Sequence, residues 1–187
     1  MELAGQDLNY DKSIGIDTST SRTSVAIIDG DSVLFSGHRD GATAHGPSLP
    51  ALVQKALAIS EVDEVVVGVG PGPFTGLRVG IAFAQSFALA REIPVRGVCS
   101  LDAIAAQIGE KDFIITVDAR RKEVYWARYT AGVRVGDPAV NFPADVSGAP
   151  IHADLFPDMQ ALVKLPGNIT EPIYLRRPDA VATADRT

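Results

Sequence analysis

The sequence predicts an α/β protein of two lobes, each with a mixed sheet flanked by helices, the second lobe shortened. Three features point there. The chain opens with three short apolar runs joined by tight turns, as in an antiparallel meander. Helical and apolar strand patterns then alternate, as in strand-crossover-strand units. From Phe113 onward the opening pattern begins again, as in a duplicated lobe.

In order, Ser13 to Asp17 reads as a strand, Thr18 to Ser21 as a hydroxyl-rich turn, Arg22 to Asp29 as a second strand, and Ser32 to Arg39 as a third after the Asp29-Gly30-Asp31 turn. Asp40 to Pro47 reads as a loop. Ser48 is expected to cap a helix running to about Ser60, because Leu49, Leu52, Val53, Ala56 and Leu57 form one apolar stripe. The Val65–Val69 run reads as a buried strand. Gly70-Pro71-Gly72-Pro73 makes a rigid turn, and Thr75 is expected to cap a long helix from about Gly76 to Arg91. Pro94 to Val98 is a short strand, and Ser100 is expected to cap a third helix ended by Gly109. Five strands and these crossovers give the ribonuclease H-like arrangement, shared by fold analogy with the actin-like ATPases.

The second half repeats a strand, Phe113 to Val117 ending in Asp118, then a polar turn and a strand from Glu123 to Thr130. Beyond Gly132 the pairs Asp137-Pro138, Phe142-Pro143, Ala149-Pro150 and Phe156-Pro157 punctuate short segments. Asp158 to Leu165 reads as a two-turn helix and Pro172 to Pro178 as an extended segment. The organisation expected is a mobile tail over 1–12, a first lobe over 13–110 and an abbreviated second lobe over 111–187.

The chain has 187 residues, 46% hydrophobic and 21% charged, with net charge −6. An acidic chain does not grip nucleic acid by itself, since phosphate binding needs a basic surface. The single cysteine, Cys99, excludes a disulfide framework or a multi-cysteine zinc site. The start carries no basic and apolar leader, and the apolar run Val79–Ala90 is too short to span a bilayer, so a cytoplasmic protein is expected.

The long helix has two notable faces. Gly76, Gly80, Ala84 and Ala88 form a strip of small residues, and Val79, Phe83 and Phe87 form an apolar ridge beside it. Either face could pack inside the chain, and with two faces to cover one could be left for a partner; with Leu49, Leu52 and Val53 of the preceding helix they make a candidate interface. Two further candidates are the glycine-proline turn holding Gly72 and Thr75 before the long helix, which could take an anion, and the turn of Asp17 with Thr18, Ser19 and Thr20. Hydroxyls, backbone N–H groups and an acid at such a turn suit phosphate and metal, although a capped hairpin turn uses the same residues. Asp118, Arg120 and Arg121 are the counterpart in the second lobe. His38, His45 and His152 lack metal-ligand spacing, and no hydrolase serine motif is present, so no metal site and no catalytic residue is expected.

Ile16-Asp17-Thr18-Ser19-Thr20, the stretch Gly68 to Gly80, Ser100-Leu101-Asp102-Ala103 and Val117-Asp118-Ala119-Arg120-Arg121-x-Glu123-Val124-Tyr125 together resemble the TsaB (YeaZ) family, with an echo in Tyr174-Leu175-Arg176-Arg177. The resemblance covers about Ile14 to Tyr129. It implies a non-catalytic subunit of the bacterial machinery that makes threonylcarbamoyladenosine in tRNA beside the anticodon. The implied partners are TsaD, which performs the transfer, and the ATPase TsaE. The chain would meet tRNA only through the complex and could form homodimers by the same surface. No firmly bound cofactor is implied, with ATP or ADP a candidate at the complex. In TsaD a metal-binding His-Met-Glu-Gly-His run follows the strand that corresponds to Pro94–Val98, whereas here the place reads Cys99-Ser100-Leu101-Asp102-Ala103. The rival readings are an independent ATPase or kinase using Asp17, Thr18 and Asp118, and, with less support, a peptidase.

Overall fold

The computed structural model describes residues 12–167 and 169–176. The expected tail over 1–12 lies, except for Lys12, outside the described residues, as do Arg177 and Pro178. Strands β1 (Lys12–Asp17), β2 (Arg22–Asp29) and β3 (Ser32–Asp40) form the antiparallel meander. Helix α1 (His45–Leu57), strand β4 (Glu64–Gly68), helix α2 (Phe74–Arg91) and strand β5 (Val95–Val98) complete a five-stranded sheet of order β3-β2-β1-β4-β5, with β4 parallel to β1 and to β5. This is the ribonuclease H-like order expected from the sequence.

Strand alternation assigns the two faces of that sheet. Ile14, Ile16, Val25, Ile27, Val65 and Val67 face α1 and α2. Ala26, Ile28 and Val66 face the other way, toward Met159, Leu162 and Val163 of helix α4 (Met159–Lys164). Helix α4 thus lies in the second-half sequence but covers the first sheet. Asp158 caps it, its carboxylate accepting from the Ala161 N–H at 2.7 Å. Arg96 on β5 pairs with buried Glu64 at 2.9 Å and donates to the Leu165 carbonyl at 2.8 Å, holding the helix's C-terminal end.

The second sheet has order β8-β7-β6-β9: β6 (Asp112–Asp118), β7 (Val124–Thr130), β8 (Val133–Asn141) and β9 (Ile151–His152), with β9 parallel to β6. It repeats the meander plus parallel strand of the first lobe. Helix α3 (Ser100–Ala105) packs Leu101, Ile104 and Ala105 against Phe113, Ile115, Ala127 and Tyr129 on its inner face. On its outer face Val133, Val135 and Ile151, in register with Thr130, Arg128 and Ile114, are exposed.

Several boundaries differ from expectation. Helix α1 begins at His45, and Ser48 lies inside its first turns rather than capping it. Pro47 is harmless there because early helical N–H groups have no intrahelical partner, and the His45 ring is anchored 2.8 Å from the Thr23 hydroxyl. Pro73, not Thr75, occupies the N-cap of α2, and Cys99, not Ser100, that of α3, which ends at Ala105 instead of Gly109. Strand β8 was not anticipated. Gly136 and Asp137-Pro138 read as loop signals, but on an edge strand a missing proline N–H costs no ladder bond, and the register shift at Trp126/Arg128 absorbs the irregularity. Among the described residues no helix is long and apolar enough to cross a membrane.

The small strip on α2 is turned inward. A Cβ at Gly80 would lie 2.3 Å from the Thr18 hydroxyl oxygen, and one at Gly76 2.8 Å from the Thr18 carbonyl. Replacing Gly80 with Val should therefore cost about 2 kcal/mol or more by overpacking, read as a lower urea midpoint with an unchanged slope. A midpoint within error of the parent would refute this packing.

Candidate functional site

The two candidate constellations of the first lobe meet at the C-terminal ends of β1 and β4. Asp17 is 1% exposed. One carboxylate oxygen accepts from the Ser19 N–H at 2.9 Å and the Ser19 hydroxyl at 2.8 Å. The other accepts from the Ser100 hydroxyl at 2.6 Å, and that hydroxyl accepts in turn from the Gly70 N–H at 3.2 Å. Burial raises the Asp17 pKa above the ordinary aspartate range, opposed by the bonds from Ser100 and Ser19 and by nearby His45.

The Gly70–Phe74 turn closes over this acid. A Cβ at Gly72 would stand 2.3 Å from the Ser19 carbonyl oxygen, so only glycine fits. Thr18 donates its hydroxyl to the Gly76 carbonyl at 2.8 Å. Asp17, Thr18, Ser19 and Gly72 are thus brought together, but their polar groups bind one another and the space above them holds backbone. They form a structural knot and do not fit a phosphate cradle. Thr75 stands exposed on the first turn of α2, apart from it.

Asp118, Arg120 and Arg121 sit on the β6–β7 turn. Arg120, Arg121 and Lys122 all have positive φ, at 62°, 53° and 64°, a run that costs on the order of 1 kcal/mol or more per residue. The turn is held by the Asp118 carboxylate accepting the Arg120 N–H at 2.9 Å and by bonds between Ala119 and Glu123 and between Glu123 and Arg120. Asp118 and Arg120 face Thr20, Ser21 and Pro73 across a cleft of about 90 Å³. Small-molecule sites usually measure roughly 300 Å³ or more, so this cleft does not fit a nucleotide.

Seven of the ten interface candidates are internal. Leu49, Leu52, Val53, Gly76, Gly80, Ala84 and Ala88 are buried against the chain's own sheet. Contrary to expectation they are not docking contacts: Leu49, Leu52 and Val53 are the core-facing stripe of α1, and α2 needs its small residues to approach the Thr18 turn. Val79, Phe83 and Phe87 stay half-exposed at the α1–α2 seam, with the two phenyl rings stacked at 6.1 Å.

The comparisons with known proteins follow this geometry. Residues 41–175 match the family model described as TsaD, tRNA N6-adenosine threonylcarbamoyltransferase. The tRNA threonylcarbamoyladenosine biosynthesis protein TsaB of Escherichia coli is 34% identical over 62% of this chain and 54% of its own length. YeaZ from Pseudomonas aeruginosa superposes with a TM-score of 0.70 and 27% identity, covering 82% of this chain and 89% of that one. The chain belongs to the TsaB (YeaZ) family. An uncharacterized protein of Mycobacterium tuberculosis is 43% identical over 89% of this chain and 92% of its own length. The match to the E. coli TsaB spans about half of that protein.

In this TsaB-family chain the sequence missed the roles of Ser100 and of a strap that follows α4. Ser100 looked like a helix cap, and nothing in its neighbours signals a partner at Asp17. In the strap the Ile169 N–H donates to the Gly97 carbonyl and the Ile173 N–H to the Val69 carbonyl, both at 2.9 Å, while Arg176 pairs with Glu123 on the β6–β7 turn. The echo at Tyr174 to Arg176 was the one signal, and Tyr174 packs 4.8 Å from the Phe74 ring. Cys99 is buried, which pushes its thiol up to about 12, as for a structural rather than a reactive cysteine.

The raised Asp17 pKa has a testable sign. A carboxyl whose folded pKa exceeds its unfolded value contributes stability below the unfolded pKa and loses it as pH rises through the folded one. Asp17→Asn removes this titration, so its stability relative to the parent should improve from pH 4 toward pH 8 in urea melts. A constant difference across that range would contradict the assignment.

Proposed function

We propose that this chain is a non-catalytic subunit of the machinery that forms threonylcarbamoyladenosine in tRNA, supporting a TsaD enzyme that performs the transfer. The relatives named TsaB support the pathway. The observation that carries the partner role is the half-exposed Val79-Phe83-Phe87 ridge on α2, an apolar strip with a rigid stacked pair that suits a helix-to-helix interface.

The site chemistry supports a supporting role. After β5, where the TsaD paralogue has its His-Met-Glu-Gly-His run, this chain places Cys99 and Ser100, and the Ser100 hydroxyl is committed to Asp17. Among the described residues no group of three or more His, Cys, Asp or Glu side chains gathers as metal ligands. The acidic net charge of −6 suits a chain that meets tRNA through an assembly also holding TsaE. Nucleotide, where the assembly uses it, is held by surfaces other than the filled Asp17 knot.

The double substitution Phe83→Asp/Phe87→Asp should reduce co-purification with the TsaD of the same organism at least about tenfold, the usual effect of losing one interface hot spot. Both rings are partly buried against the first-lobe core, so some fall in melting temperature is expected, and the loss of complex is read on a variant that still unfolds cooperatively. Wild-type levels of complex with the double variant would overturn the ridge as the interface. Normal threonylcarbamoyladenosine in tRNA from cells lacking this chain would overturn the pathway.

A further inference from the structure

Behind β2 and β3, on the face of the first sheet opposite α1 and α2, lies a groove of about 370 Å³, within the roughly 300–1,000 Å³ typical of small-ligand sites. It exists because α4 packs over β1, β4 and the near side of β2 and leaves the outer two strands bare. Its floor is the rear-facing row of β2 and β3, Ser24, Ala26 and Ile28 with Val33, Ser36 and His38. Its wall is the 154–160 segment and Gln107 at the end of α3.

Two independent observations make this groove more than a gap. Ser24 is 5% exposed, and its hydroxyl makes no hydrogen bond among the described residues. That hydroxyl opens onto the groove, so its partner is water or a bound group. The charge is one-sided as well. Asp154 and Asp158 line the wall, and Asp158 spends one carboxylate oxygen on the Ala161 N–H, leaving the other. Among the described lining residues the basic side chains are Arg22 and His38, and Arg22 is already neutralised: its guanidinium bonds Asp40 at 2.7 and 3.3 Å and lies 3.8 Å over the Phe156 ring.

We propose that this groove binds a primary ammonium group on a short aliphatic chain, with Asp154 and Asp158 facing the charge, Ser24 supplying a hydrogen bond and Ala26, Ile28, Val33 and Met159 packing the methylenes. The ammonium comes from a free diamine or from a lysine side chain, which share this chemistry. The site faces away from the α2 ridge, so it stands or falls independently of the proposed pairing with TsaD.

The test is an amide-shift NMR titration of the full chain with 1,5-diaminopentane, with N-acetyl-lysine-methylamide and, as the uncharged control, with 1,5-pentanediol. Saturable shifts at Ser24, His38, Gln107 and Asp158 are expected, with Kd of about 1 mM or tighter for one or both ammonium probes. The tighter of the two identifies the source. Asp154→Asn and Ser24→Ala should each weaken binding about tenfold. Because the hydroxyl has no protein partner, Ser24→Ala should melt no lower than the parent, which separates lost binding from lost folding. The proposal is overturned by absence of saturable shifts with both ammonium probes, by equal binding of the diol, or by binding that survives both substitutions.

Discussion

The contact on which the fold depends is the Asp17 carboxylate held between Ser19 and Ser100. It joins the end of β1 to the start of α3, and through Ser100 to the backbone of the Gly70 turn. These three places are distant in sequence and carry the meander, the turn that leads into α2 and the bridge to the second sheet. A buried carboxylate left unpaired is expensive, and its three hydrogen bonds offset part of the desolvation, the remainder showing as the raised Asp17 pKa. The same constellation of strand-end acid, hydroxyl turn and glycine turn could cradle phosphate. Here it is drawn tight enough to serve as a joint.

This joint explains the composition of α2. The helix must sit on the Thr18 turn, so its inner face is Gly76, Gly80, Ala84 and Ala88, and its larger apolar side chains are displaced to one flank. The flank is where Val79, Phe83 and Phe87 emerge. A requirement of internal packing therefore creates the partly exposed ridge as a by-product, and the apolar surface left on α2 is narrower than the apolar content of α1 and α2 implies.

The two lobes share a plan but not a complement of helices. The first sheet is covered on one face by α1 and α2 and on the other by α4, which the chain delivers only after building the second sheet. The second sheet receives α3 on its inner face and leaves Val133, Val135 and Ile151 of its outer face exposed. The strap at Ile169 and Ile173 then packs against the apolar clusters of both lobes. The short second half is thus used largely to finish the first lobe.

By itself the sequence determined the meander, the parallel core strands, the duplication and the family, because these rest on local signals: alternation, glycine-proline turns and motifs contiguous in the chain. It also singled out the Asp17-Thr18-Ser19 turn and the glycine-proline turn holding Gly72, each from its own local signal. What the residues there do was decided only by the tertiary structure. Ser100 pairs with Asp17 across 83 positions of sequence, and Gly80 is inward because Thr18 stands opposite it. Helical periodicity names the faces of α2 but not which of them the sheet takes, and an edge strand such as β8 tolerates residues that would forbid a central one. Contacts between distant segments made those choices, and such contacts leave no periodicity in the chain.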